Sequence, residues 1–297
     1  MRALILMLMT LLALPAHAVL KVFATVPEWG ALVKEIGGDK VEVFTATHGL
    51  QDPHQIQARP SLIARARNAD LIVATGAELE IGWLPVIQRE SANPRVQPGQ
   101  PGYFEAAGFV RMLDVPARLD RADGDVHADG NPHIQTDPRN ILKIGEALSA
   151  RLTTLDAANA AAYRTGFAAF AEKWSAATAR WETMAASLKG TPVVVQHKSW
   201  TYLFDWLGIR EVAALEPKPG IEPSVAHLAR LVEQTAASRP KMVVRAAYNN
   251  ARPAEWFSAQ ARVPVAVLPF TVGGSDVAKD LFGLFDDTVR RLAEAAR

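Results

Sequence analysis

Three histidines stand in the same kind of place along the chain, in polar turns at the ends of predicted elements. His54 comes after one predicted strand and before a helix that begins near Pro60. His133 precedes a helix from Pro138 to about residue 152, and His197 follows an apolar strand. A neutral imidazole is a preferred ligand of zinc and other borderline-soft divalent cations. One histidine beside a proline is more often a turn residue, but three in equivalent turns favour a shared metal site.

The elements around the histidines alternate between short β-rich runs and helical segments. The predicted strands are residues 21–25, 41–44, 71–74, 193–196, 242–244 and 265–268. This alternation is typical of parallel sheets with crossover helices. Ligands of open α/β sheets bind beyond the carboxyl ends of the strands, so one crevice is expected to hold the three imidazoles. Spacing alone does not show that they converge.

One long segment interrupts the alternation. Between Asp156 and Lys189 there is no proline, and apolar residues recur at intervals of three and four, which predicts one amphipathic helix of about 45 Å. Its stripe, interpreted as core, consists of Tyr163, Phe167, Phe170, Trp174, Ala177, Trp181, Met184 and Leu188. We therefore predict an α/β fold of two lobes, residues 19–155 and 190–297. Each lobe has a mainly parallel sheet flanked by helices, and the rigid helix over 156–189 joins them.

The first eighteen residues read as a cleaved signal peptide. Arg2 precedes an apolar run over 4–14, and Ala16-His17-Ala18 is a small-x-small cleavage site. The run is too short for a membrane span, which needs about 20 residues. The sequence contains no cysteine, so it offers neither a disulfide nor a site for a lipid anchor. We expect a monomeric periplasmic protein that is not lipid-anchored.

Charge and motif searches exclude several functions. The chain of 297 residues has 32 Lys+Arg against 31 Asp+Glu, a net charge of +1, and no basic patch, so nucleic acid is not an expected partner. It has no phosphate loop, dinucleotide fingerprint, nucleophile elbow or His-Glu-x-x-His pair.

The segments around the histidines resemble a known family. Residues 51–61 run from Asp-Pro-His to Pro-Ser, residues 131–138 run from Asn-Pro-His to Asp-Pro, and in residues 196–204 a strand-end histidine leads into an aromatic-rich helix. In this order they are similar to the cluster A-I (cluster 9) substrate-binding proteins of zinc and manganese ABC importers. The resemblance covers the mature chain. It implies a periplasmic high-affinity zinc-binding protein, not an enzyme, that delivers the ion to an ABC permease in the inner membrane.

The resemblance also implies a ligand set. His54 and His133 would be the ligands from the first lobe and His197 the first ligand from the second. The fourth ligand of the family is a carboxylate after the last strand, for which we predict Asp276, with Asp280 as the alternative. Asp276 has a second interpretation as the N-cap of the final helix. Three imidazoles and a carboxylate favour Zn(II) over Mn(II), which prefers more oxygen.

Three features depart from the family or leave a choice open. Arg245 stands where many relatives have glutamate, and the His-rich loop of the zinc branch is reduced to a short acidic loop over residues 121–130. That loop is either a solvated turn or a weak site that delivers metal. Residues 216–223 resemble a loop of some members, which we assign to lobe packing or transporter contact.

Other functions stay open at this point. A manganese-binding counterpart is the first alternative. Zn(II) binds more tightly than Mn(II) at many sites, so a preference for zinc does not by itself identify the transported metal. A zinc-dependent periplasmic hydrolase is the second, since three protein ligands leave a position for an activated water. A metallochaperone or adhesin without a permease is the third. The sequence also leaves open whether a periplasmic zinc chaperone loads the site.

Overall fold

A computed structural model describes residues 19–118 and 127–297. The predicted signal peptide and residues 121–126 of the short acidic loop lie outside the described residues. Within the described part, the strands form two separate four-stranded sheets, and every strand pair is parallel. No helix in residues 19–118 and 127–297 is long and apolar enough to cross a membrane.

The first sheet has the order β2-β1-β3-β4. Its strands are β1 Leu20–Ala24, β2 Val41–Thr45, β3 Leu71–Ala74 and β4 Tyr103–Glu105. The helices of this part are α1 Pro27–Gly37, α2 Pro60–Arg67, α3 Leu84–Ser91 and α4 Pro138–Leu155. Each begins with a proline in its first turn, where the missing N–H costs no hydrogen bond.

The second sheet repeats this arrangement in the order β6-β5-β7-β8. Its strands are β5 Pro192–Val195, β6 Arg210–Ala214, β7 Met242–Ala246 and β8 Val265–Leu268. The helix between the two sheets is α5 Ala160–Ala185, and those of the second part are α6 Thr201–Leu207, α7 Val225–Thr235, α8 Ala251–Ala261 and α9 Leu281–Ala295. The predicted fold class is therefore confirmed. The exact lobe boundaries at 155 and 190 stay a prediction.

The long segment between the sheets is helical but not one uninterrupted α-helix. Short 3-10 turns, Ala157–Asn159 and Ala186–Leu188, flank α5. The chain turns at Asp156, whose carboxylate accepts a hydrogen bond from the Tyr163 hydroxyl at 2.7 Å. From there α5 packs against α1, α4 and α9. It therefore contacts helices associated with both sheets.

Gly166 explains how α5 approaches α1 so closely. A Cβ atom at this position would lie 2.2 Å from the carbonyl oxygen of Ile36, far inside van der Waals contact. The predicted apolar stripe faces this core, with Tyr163, Trp174 and Trp181 fully buried. Met184 is the exception, since 41% of it is exposed, and its assignment to the buried stripe was wrong. The buried stripe continues through Ala185 and Leu188, so Met184 lies beside the stripe and not on it.

Candidate metal centre

His54, His133 and His197 converge between the two sheets. One ring nitrogen from each lies within 4.8 Å of the other two. Their ring centroids are 5.3 Å apart for His54 and His133, 5.8 Å for His54 and His197, and 5.2 Å for His133 and His197. Nitrogens bound to one tetrahedral zinc ion at about 2.0–2.1 Å lie roughly 3.3 Å apart. Small side-chain rotations therefore suffice to place all three on one ion.

Each of the three imidazoles is oriented by an oxygen that accepts from its Nδ1. The acceptors are Asp52 Oδ1 for His54 at 2.8 Å, Asn131 Oδ1 for His133 at 2.7 Å and Glu216 Oε2 for His197 at 2.7 Å. An oxygen acceptor places the proton on Nδ1, which leaves the Nε2 lone pair free. This tautomer is the one that ligates a metal through Nε2.

Two of the Nε2 atoms lack any other role among the described residues. Those of His54 and His133 are buried and have no hydrogen-bond partner. A buried polar atom without a partner costs roughly 1–3 kcal/mol, so such atoms call for an explanation. A cation bound between the rings would satisfy both.

The protonation states of His133 and Asp52 favour the binding of a cation. Burial lowers the pKa of His133 well below its ordinary value, and the nearby His197, His54 and His127 lower it further. His133 is therefore neutral at neutral pH, the form that binds metal. Burial acts to raise the pKa of Asp52, but its hydrogen bonds to the ring and backbone of His54, together with the proximity of His54 and His197, outweigh burial and lower the pKa. Asp52 is thus an anion beside the site.

Asn131 joins the loops that carry two of the histidines. Its side-chain amide donates to the carbonyl oxygen of Lys198 at 2.8 Å, next to His197. Its own carbonyl accepts from the Tyr202 hydroxyl at 2.8 Å, and that hydroxyl accepts from the backbone N–H of Leu113 at 3.0 Å. The Asn-Pro-His segment therefore both orients His133 and positions it against the second lobe.

Comparison with known families agrees with this architecture. A profile of the family described as zinc-uptake complex component A, periplasmic, matches residues 22–295. The chain belongs to this zinc-uptake family. The resemblance to zinc and manganese importer proteins that the motifs indicated is thereby confirmed.

The names of proteins similar to this chain refer to different metals. The chain is 25% identical over 260 residues to the high-affinity zinc uptake system protein ZnuA of Paracoccus denitrificans, covering 75% of each chain. It is 24% identical over 260 residues to the manganese ABC transporter substrate-binding lipoprotein PsaA of Streptococcus pneumoniae, covering 85% of this chain and 80% of PsaA. The zinc-binding lipoprotein AdcA of Streptococcus pneumoniae serotype 4 is 24% identical over 204 residues. That match covers 67% of this chain and only 40% of AdcA.

Solved structures share the fold of this zinc-uptake family member. A crystal structure of ZnuA superposes with a TM-score of 0.80 at 20% identity, covering 94% of this chain and all of that one. A manganese-bound periplasmic metal-binding protein from Candidatus Liberibacter asiaticus superposes with a TM-score of 0.76 at 18% identity, covering 94% of this chain and 100% of that chain. At such identities the likeness concerns the fold alone.

Asp276 is not a member of the group of converging ligand atoms. Hydrogen bonds within the loop after β8 hold it in shape, from Gly273 N to Ala278 O at 2.6 Å and from Ala278 N to Ser275 Oγ at 3.2 Å. Asp276 stands exposed on this loop. Asp280, the alternative, is the N-cap of α9 and accepts from Gly283 N at 2.7 Å. Neither carboxylate belongs to the group whose ligand atoms all lie within 4.8 Å of one another, and their role as ligands stays a prediction.

Glu216 is the site residue that sequence reasoning missed. In the sequence it is only the first residue of the 216–223 loop, and we assigned that loop to lobe packing or transporter contact. It stands just beyond the edge strand β6, which pairs with β5, the strand that leads to His197. Recognising β6 would have placed Glu216 beside His197, because neighbouring parallel strands end at the same edge of a sheet.

Replacing Glu216 by alanine is expected to weaken metal binding by about 10- to 100-fold, because His197 loses the partner that fixes its tautomer and ring orientation. Competition with a chelator of known affinity measures the change. Glu222→Ala is the matched control, since this exposed residue of the same loop bonds Asn250 rather than a histidine. Equal affinities for the two variants would show that Glu216 does not position His197.

Proposed function

We propose that this chain is a periplasmic zinc-binding protein that delivers the ion to an ABC import permease in the inner membrane. The convergence of three imidazoles, each with Nδ1 already bonded to an oxygen, carries the proposal. Because the ligands are already oriented, little conformational entropy is lost when the ion binds, and this preorganisation supports tight binding. His54, His133 and His197 are the ligands in this proposal, and Asp276 is the fourth ligand that the family resemblance implies.

Zinc is the proposed cargo, with manganese as the alternative within the same importer class. Imidazole suits zinc, whereas manganese prefers carboxylate, carbonyl and water oxygens. Both carboxylates beside the rings, Asp52 and Glu216, accept hydrogen bonds from imidazole nitrogens. They thereby act through the histidines and do not add oxygen ligands of their own, which supports zinc.

The same contacts argue against a zinc-dependent hydrolase. An activated water on the metal would need a free general base within hydrogen-bond reach. Asp52, the nearest carboxylate in the sequence, is engaged with both the ring and the backbone N–H of His54 at 2.8 and 3.0 Å. Binding proteins of ABC importers, the class to which named relatives such as PsaA belong, need no such base.

The proposed location follows from the first eighteen residues and from the absence of cysteine. A cleaved signal peptide over 1–18 would release a monomer into the periplasm, without the lipid anchor that AdcA and PsaA carry by name. A permease would then be the partner that receives zinc. A periplasmic zinc chaperone that loads the site is a further proposed partner.

Metal analysis of the mature protein tests this function. Protein purified without added metal is expected to contain one zinc ion per chain, and a large excess of Mn(II) should not displace it. Elemental analysis before and after dialysis against each metal makes the measurement. Protein that carries no metal and binds none in titration would refute the proposal, and preferential retention of manganese would establish the alternative cargo.

A further inference from the structure

The start of the loop after β8 is held against the first lobe. Gly49, in the turn after β2, approaches this loop backbone to backbone. A Cβ atom on Gly49 would lie 2.1 Å from the carbonyl carbon of Gly273, well inside van der Waals contact. Two residues before Gly273, the Thr271 hydroxyl donates a hydrogen bond to Glu28 Oε2, near the start of α1. Two segments of the first lobe therefore contact one loop of the second.

Glu28 is a buried acid at this contact between the lobes. Only 1% of it is exposed. Burial raises the pKa of its carboxyl to about 7, against the effect of the hydrogen bond from Thr271, and the charge of Glu80 contributes to the increase. Burying a carboxyl costs more free energy than burying an apolar side chain. Packing alone therefore does not account for a glutamate at this position.

Glu80, the acid that acts on Glu28, has a different set of partners. Its carboxylate accepts hydrogen bonds from Thr25 Oγ1 at 2.7 Å, Thr75 N at 2.8 Å and Gly76 N at 3.1 Å. These three residues directly follow β1 and β3 of the first sheet. The hydrogen bonds of Glu80 thus stay within the first lobe, whereas that of Glu28 crosses to the second.

The residue before Thr271 forms a wall of the metal centre. The ring of Phe270 lies edge-to-face with that of His133, with centroids 5.5 Å apart and an interplanar angle of 76°. Trp200 and Tyr248 of the second lobe contact the same ring, at 5.9 and 5.4 Å between centroids. Consecutive Cα atoms are 3.8 Å apart, so a shift of Thr271 also moves Phe270. The hydrogen bond to Glu28 thereby fixes a side chain that restricts the ring of His133.

We propose that Glu28 is a positioning residue for zinc binding, which holds the ring of His133 from across the two lobes through Thr271 and Phe270. This inference rests on the proposed function, because its effect is measured as zinc affinity. Asn131 fixes the tautomer of His133 through Nδ1, and Phe270 restricts the rotation of the same ring. A ligand of the first lobe thus keeps its binding geometry only while the two lobes are in contact.

Two substitutions remove the hydrogen bond from opposite ends. Glu28→Ala and Thr271→Val are each expected to weaken zinc binding by about tenfold, the lower end of the effect of an outer partner. The double variant should bind no more weakly than either single one, because both changes remove the same contact. Glu28→Gln should stay within about threefold of the wild type, since its amide oxygen still accepts from Thr271. Chelator competition with zinc measures all four affinities.

Two further variants separate positioning from stability. Phe270→Leu removes the ring contact with His133 and should itself weaken binding, and adding Glu28→Ala to it should cause no further loss. Thr25→Val is the matched control, because it removes a buried hydroxyl that bonds Glu80 within the first lobe. It should lower the free energy of unfolding and leave the zinc affinity nearly unchanged.

Circular dichroism checks that each variant folds, and Thr271→Val decides the matter if Glu28→Ala does not. An unchanged affinity for Thr271→Val, or an equal loss in Thr25→Val, would overturn the role of Glu28 and leave the proposed function intact. A further loss when Glu28→Ala is added to Phe270→Leu would show that Glu28 does not act through Phe270. A wild type that binds no zinc would instead refute the proposed function itself.

Discussion

Replacing His133 with alanine is expected to weaken zinc binding by more than about 100-fold, beyond the loss that follows from removing an outer hydrogen-bond partner. His133 is 2% exposed, it lies closest to both other rings of the group, and its Nε2 has no partner in the described residues. The substitution removes a central ligand. His54→Ala and His197→Ala should have effects of similar size.

Two other histidines serve as controls for that loss. His48 is exposed, and its Nδ1 accepts a hydrogen bond from Leu50 N within its own turn at 3.4 Å. His227 lies on α7, whose N-cap is Ser224, away from the three-histidine group. Alanine at either position should leave the affinity nearly unchanged. Chelator competition measures the zinc dissociation constants of all five variants. An unchanged dissociation constant for His133→Ala would show that the three histidines do not form the zinc site.

Trp174→Ala is expected to lower the free energy of unfolding by about 3–5 kcal/mol, the usual loss for a large aromatic side chain in a core. Trp174 is fully buried on α5. Its ring contacts Phe285 of α9, with centroids 5.4 Å apart. Its Nε1 donates to the carbonyl oxygen of Pro138, at the start of α4, at 2.8 Å. The substitution thus removes contacts to both α4 and α9.

Chemical denaturation of the metal-free protein measures this loss. Lys173→Ala, at an exposed position one residue earlier on α5, should change the unfolding free energy by less than about 0.5 kcal/mol. Trp174→Phe should recover part of the stability, because it keeps a ring but loses the hydrogen bond to Pro138. A loss below about 1 kcal/mol for Trp174→Ala would show that the core collapses around the gap and that the contacts of Trp174 with α4 and α9 contribute little to stability.

The sequence was sufficient for the parts of the fold that local pattern controls. All six predicted strands are present: β1, β3, β5 and β7 at the centres of the two sheets, and the edge strands β2 and β8. The strands that went unpredicted are the other two edge strands, β4 and β6. β4 has only three residues, and β6 begins exposed and is otherwise half-buried. An edge strand is covered on fewer sides, so its sequence is less constrained toward the apolar pattern that identifies a strand.

The metal site also contains some residues that local sequence identifies and others that only the tertiary structure brings together. The motifs of the sequence singled out His54, His133 and His197, because short segments around each histidine are local features. Asn131 and Asp52 are close to their histidines in sequence and bond them within two residues. These parts could be predicted from adjacency alone.

Only the tertiary structure decided what fills the space around those three rings. Glu216 reaches His197 across nineteen residues of chain, through the pairing of β5 with an unpredicted edge strand. His127 stacks on His54, whereas Asp276, the carboxylate that the family resemblance implied, stands exposed on the loop after β8. Contacts between distant segments depend on strand order and loop closure, and neither is encoded in the local spacing of residues.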